Sequence, residues 1–289
     1  MVTGGCILAA TDGTERSRAV LGRAQLIARH WGARLALVHV RKPSAARFRL
    51  RLARTAPDHL AQALVEHGGR AEDLHILDAA PAEGVIALAR QLGAGLVVLG
   101  LHRERRVLDT LRMTTMERIT LGVDCPVLVA QRYPVQPYAR VLGALSFDPI
   151  CGRGLAQAAR IAPGAAFHAI HALPRAATDS ATARARDLQR AEERRAAFMR
   201  CKDLPPDMPL PEIVPGGVHE VLRFRMEEWQ PDLLVIGAHS GRDPTRLGNY
   251  ARDLMRAPPT DALVTKPDLS AGLLPPDTPD PATTPPAGS

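Results

Sequence analysis

Short apolar runs alternate with longer amphipathic stretches along the whole chain. Ile7–Ala10, Leu35–Val40, His75–Leu77, Leu96–Gly100 and Val127–Ala130 have the length and apolar density of strands buried on both faces. The segments between them carry apolar residues at helical spacing. Residues 16–31 place Ala19, Val20, Ala24, Ile27 and Ala28 on one face and stop at Gly32. Helices are also expected over 45–67 (broken near Pro57), 82–92 and about 110–121. Strand and helix alternate strictly, which predicts a parallel, doubly wound α/β sheet.

The same series then starts again. Strands are predicted at Val141–Ser146, Ala166–Leu173, Glu212–Val214, Leu233–Gly237 and Leu263–Thr265. Helices are predicted at 150–161, 178–200, 217–229 and about 246–256. "LLVIG" at 233–237 matches "LVVLG" at 96–100, and each is followed by one residue and a histidine, His239 and His102. The expected organisation is a first domain over 1–132, a linker over 133–139, a second, diverged domain over 140–266, and a disordered tail over 267–289 holding seven prolines.

Four segments carry a resemblance to the universal stress protein (UspA-type) family in its tandem two-domain form. They are "ILAATDGTERSRAVLGRAQLIARHWGARLALVHV", "AGLVVLGLH", "MERITLGVDCPVLVA" and the weaker second copy around "PDLLVIGAHSG". The resemblance implies two five-stranded parallel sheets whose closing strands pair antiparallel, packed as an intramolecular pseudo-dimer. Val127–Val129 would lie against Leu263–Thr265, and a further homodimer is left open. An isolated first domain is then expected to self-associate.

The resemblance also implies an ATP site with magnesium, with Asp12 at the adenosine and the Val40 backbone beside the base. A phosphate loop of the form G-x2-G-x9-G-[ST] would follow the fourth strand, because glycines and a helix N-terminus present backbone N–H groups to phosphate. In the first domain Gly100 and Thr114 keep the pattern, but Arg103 and Met113 replace its other glycines. In the second domain Asp148, Gly237, Gly241, Gly248 and Asn249 keep an outline with altered spacing. The leading expectation is a regulatory or binding protein of the stress response. The alternative is an ATP-binding protein with weak ATPase activity in the second domain.

Composition narrows the remaining classes. Aromatics make up only 3% of residues, so the cores must be aliphatic. Net charge is +7, carried by 34 arginines against three lysines, Lys42, Lys202 and Lys266. That bias fits a GC-rich coding sequence, and a nucleic-acid partner through the basic stretch at 41–54 is the least favoured reading. Cys6, Cys125, Cys151 and Cys201 show no metal-ligand spacing, so no metal site and no catalytic residue is assigned. No run is long enough to span a membrane, and a cytoplasmic location with an unidentified protein partner is expected.

Overall fold

The computed structural model describes residues 5–14, 17–41, 55–101, 113–131, 133, 136–174, 180–238 and 247–266. The first half contains β1 (Cys6–Thr11), α1 (Ser17–Trp31), β2 (Arg34–Arg41), α2 (Thr55–Glu66), β3 (Leu74–Asp78), α3 (Pro81–Gln91), β4 (Ala94–Gly100), α4 (Thr115–Gly122) and β5 (Val127–Ala130). The second contains β6 (Arg140–Ala144), α5 (Pro149–Ile161), β7 (Ala166–Leu173), α6 (Ala181–Phe198), β8 (Glu212–Pro215), α7 (Val218–Trp229), β9 (Leu233–Gly237), α8 (Asn249–Arg256) and β10 (Asp261–Thr265).

All ten strands form one sheet, in the order β3-β2-β1-β4-β5-β10-β9-β6-β7-β8. Every pairing is parallel except β5 with β10 at the centre. There Ala262 faces Val129, Leu263 faces Leu128 and Val264 faces Val127. The expected pairing of the closing strands is therefore present, one residue earlier on β10 than anticipated. It covers the edge that each five-stranded half would otherwise expose.

Alternation along the strands sorts side chains onto two faces. One core layer holds Leu8, Val38, Val97, Val127, Leu142, Leu234 and Val264 beneath α3, α4, α7 and α8. The other holds Ile7, Leu37, Leu128, Val141, Leu233 and Leu263 beneath α1 and α5. Both layers run without a break from one half into the other.

Polar groups pin the same seam. Asp261 is buried and accepts hydrogen bonds from the Gln131 backbone N–H (2.8 Å) and the Tyr138 hydroxyl (2.7 Å). Arg23 of α1 approaches Asp261 to 3.3 Å, and its guanidinium lies 3.6 Å from the Tyr138 ring centre. Tyr138, in the expected linker, is thus a packed residue of the seam. Burial and the adjacent Asp261 push its phenol well above the usual value, so it stays a donor.

Two elements differ from expectation, and two expected segments are not described. Pro57 lies in the first turn of α2, where a missing N–H costs nothing, and does not break the helix. Residues 45–54 and the tail at 267–289 lie outside the described residues. The last helix of the first half begins at Thr115, because Thr114 caps it.

Leu263→Ala should destabilise the whole chain by about 2–5 kcal/mol, since the side chain is fully buried at the centre of the seam. Phe224→Ala, on an exposed face of α7, should stay within about 0.5 kcal/mol of the parent. Urea unfolding followed by circular dichroism checks both.

Candidate functional site

At the carboxyl edge of the first half, β1 ends in a tight turn. Gly13 has φ +78°, and a Cβ there would sit 3.4 Å from the His39 ring. Asp12 Oδ1 accepts from the Thr14 N–H (3.0 Å) and the Thr14 hydroxyl (2.6 Å), an Asx-turn that fixes the carboxylate. Thr11 Oγ1 accepts from the Gly13 N–H (2.9 Å) and is hydrogen-bonded to the Ser17 hydroxyl. His39 donates from Nδ1 to the Thr11 carbonyl at 3.1 Å, tying β2 to the turn.

Beside this turn is a cavity of about 240 Å³, lined by Asp12, Val40, Val85, Gly100, Thr115 and Met116 among others. Its walls are mainly apolar, with Thr11, Asp12, His39 and Thr115 as the polar side chains. Such a pocket at the carboxyl ends of parallel strands is where open α/β sheets bind ligands. Val40 is held by α3, since a Cβ on Gly84 would lie 3.1 Å from both Val40 methyls. Gly100 lets β4 approach α1, where a Cβ would meet Val20 at 3.1 Å. The structure thus brings Asp12, Val40 and Gly100 around one space. Leu101 borders it, and His102, Arg103, Arg105 and Arg106 lie outside the described residues.

Thr114 has a second task that its position in a phosphate motif does not reveal. Its Oγ1 accepts from the Glu117 N–H (3.1 Å), and its own N–H donates to Glu117 Oε2 (2.8 Å), a complete capping box for α4. Met113 is exposed and does not fill the cavity.

Glu117 is itself a residue that sequence reasoning missed. Its carboxylate is buried and accepts from Arg256 Nε at 2.9 Å, with Arg252 Nε at 3.8 Å, both from α8 of the other half. The Thr-x-x-Glu spacing at 114–117 signals the cap. Nothing in the local sequence signals the arginines.

The second half departs from the first at the same edge. Strand registers set Val141–Ala144 against Leu233–Ile236 as they set Ile7–Ala10 against Leu96–Leu99. Counting onward, Ser146 stands at the position of Asp12, Phe147 at that of Gly13, and Asp148 at that of Thr14. Asp148 is therefore not the counterpart of Asp12, as the sequence had indicated. The expected match is two residues out of register.

Phe147 keeps the left-handed backbone of Gly13, with φ +62°, although it carries a large side chain. The ring is buried against His171 (4.5 Å) and Phe198 (5.6 Å). Ser146 donates to Asp148 Oδ2 at 2.6 Å, and Arg194 of α6 approaches Asp148 Oδ1 at 3.1 Å. That carboxylate is engaged within the protein. Gly237 ends β9, and the Gly248 N–H donates to the Ala238 carbonyl at 2.9 Å, which draws the start of α8 to that strand end. Gly248 is the N-cap with φ −59° and no side-chain cap, and Asn249 opens α8. Gly241 and His239 lie outside the described residues.

The model of the universal stress protein family matches twice, over residues 6–131 and 137–266. The chain belongs to the universal stress protein family. A universal stress protein from Archaeoglobus fulgidus DSM 4304 is similar over 90% of this chain and 96% of its own, at 17% identity and a TM-score of 0.64. A putative universal stress protein from Pseudomonas aeruginosa UCBPP-PA14 is similar over 91% and 93%, at 22% identity and a TM-score of 0.60. A shorter one from Archaeoglobus fulgidus, in complex with dAMP, covers 45% of this chain and 99% of its own, at 18% identity and a TM-score of 0.35. A comparison with curated proteins finds no match.

Other titratable groups behave as buried core residues. Burial pushes the Cys125 thiol up to about 12, so it is not a nucleophile near neutral pH. Among the described residues no three His, Cys, Asp or Glu side chains gather as metal ligands. Burial lowers the proton affinity of His171, which donates from Nδ1 to the Leu145 carbonyl at 2.8 Å. Burial lowers that of His75 in the same way.

The unfolded chain therefore takes up protons at both imidazoles before the folded one does. Stability should fall as pH drops through about 6.5, and the loss should level off below the folded values. Urea midpoints at pH 7.5 and 5.5 measure this, and His171→Asn should reduce the difference between them.

Proposed function

We propose that this universal stress protein binds an adenine nucleotide in the cavity of its first half and acts as a binding or regulatory protein of the stress response. The observation that carries the reading is the cavity between Asp12 and Val40, at the carboxyl ends of parallel strands and bordered by the first turn of α4. An apolar slot suits a base, a fixed carboxylate suits ribose hydroxyls, and a helix N-terminus suits phosphate. The described residues fit the adenosine portion. In a bound ATP the phosphates, with their magnesium, would lie toward the first turn of α4.

In the second half, Phe147 at the glycine position and the engagement of Asp148 by Arg194 argue against an equivalent site. One observation favours the alternative of a nucleotide there: α8 begins at Gly248 with no side-chain cap, leaving its first N–H groups for an anion. Among the described residues no helix is long and apolar enough to cross a membrane. A cytoplasmic location and an unidentified protein partner belong to the same proposal.

Titration calorimetry with AMP, cAMP and magnesium ATP separates the two sites. Saturable binding near one equivalent per chain is expected. Ala10→Phe, which fills the first cavity, should weaken it at least tenfold. Ala144→Phe, at the matching position of the second half, should leave it unchanged. Binding that survives Ala10→Phe and disappears with Gly248→Leu would move the site to the second half.

A further inference from the structure

The antiparallel pairing sets Leu128 opposite Leu263, with Val127 and Val129 opposite Val264 and Ala262. The neighbouring registers make Val127–Ala130 the counterparts of Ala262–Thr265. A pseudo-twofold axis therefore passes between Leu128 and Leu263. Around that axis the apolar contacts are nearly symmetric. The buried polar contacts are not.

Carrying the equivalence outward shows the asymmetry residue by residue. Asp261 corresponds to Pro126, which has no charge. Thr14 corresponds to Asp148, so α1 and α5 align with Leu21 on Leu155, Ala24 on Ala158 and Ile27 on Ile161, all buried. Arg23 then corresponds to Gln157. The caps of α4 and α8 align Glu117 with Ala251, Arg118 with Arg252 and Gly122 with Arg256. Gln131 corresponds to Lys266. Gln131 donates across the seam to the Pro258 and Thr260 carbonyls, and Lys266 donates to the Leu121 carbonyl at 2.7 Å.

We infer that this seam is a heterotypic interface: each half carries buried charges that select the other half of the same chain and reject a second copy of itself. In a pair of two first halves, the buried Arg23 would face the partner copy's proline in place of Asp261. Glu117 would meet glycine in place of Arg256, its nearer partner, and keep only an arginine at the place of Arg252. In a pair of two second halves, Asp261 would face glutamine, and Arg252 and Arg256 would face alanine. Each arrangement leaves a buried charge without its counter-charge, Arg23 in one and Asp261 in the other, which is far costlier than removing both partners of a pair. Like the single polar group that sets pairing in a coiled coil, these charges specify the partner, while apolar burial supplies the affinity. The self-association expected of an isolated first domain is thereby disfavoured.

Full-length protein tests this. Asp261→Arg sets a second guanidinium against Arg23 and should open the seam. Small-angle X-ray scattering should give a larger radius, and sedimentation velocity should still give one chain per particle up to about 100 μM. Arg23→Asp combined with Asp261→Arg restores opposite charges and should recover the parent radius. The inference is overturned if Asp261→Arg stays compact, or if it forms dimers with rising concentration. Should Asp261→Arg prove insoluble, a soluble and compact double variant still supports the proposal, and an insoluble double variant counts against it. Glu117→Gln and Arg256→Gln provide an independent measure. Their effects on the urea midpoint should be less than additive in the double variant, and full additivity would contradict the pairing.

Discussion

The antiparallel contact between β5 and β10 is the constraint on which the rest of this molecule depends. Each half is a parallel sheet that would end in an unpaired strand buried on both faces. Joining the two edges turns ten strands into one sheet and makes both core layers continuous. Leu128 and Leu263 are fully buried at the centre of that join, and Asp261 satisfies the chain turning out of β5 through the Gln131 N–H. The three-residue ladder is short, so side chains must hold the geometry. Arg23, Tyr138 and Asp261 do so at one side of the axis, and Glu117 with Arg252 and Arg256 at the other.

The same join relates the site to the seam. Thr115 and Met116 line the first cavity, Thr114 and Glu117 cap the same turn, and the Glu117 carboxylate is held by arginines of the second half. The first half retains the glycine turn beside the cavity at its strand ends. In the second half the left-handed position survives, but Phe147 occupies it, and α6 closes over Asp148 through Arg194. One half thus keeps the features of a binding site, and the other carries filled packing at the equivalent place.

Most of the fold was legible because its signals are local. Continuous runs such as Leu96–Gly100 announced buried parallel strands, and the repeat of that run at 233–237 announced the second half. The pairing of the closing strands followed from the edge each half must cover. Helix starts were harder to read: α4 was expected five residues early, because a capping threonine and a helical residue look alike without knowing where the N–H groups go. The candidate site was legible where one turn encodes it, as at Asp12, Gly13 and Thr14. It was misread at Asp148, because aspartate identity was matched in place of register. The partners of Glu117 and Asp261 were invisible. They lie more than a hundred residues away in sequence, and only the sheet brings them together.

The most direct measurement is a titration of uniformly 15N-labelled full-length protein with AMP, followed by backbone amide spectra. The account predicts saturable shifts at Asp12, Gly13, Thr14, Val40 and Gly100, with Ser146, Gly237 and Gly248 unmoved. Shifts confined to the second set, or no saturable shift at millimolar AMP, would contradict it.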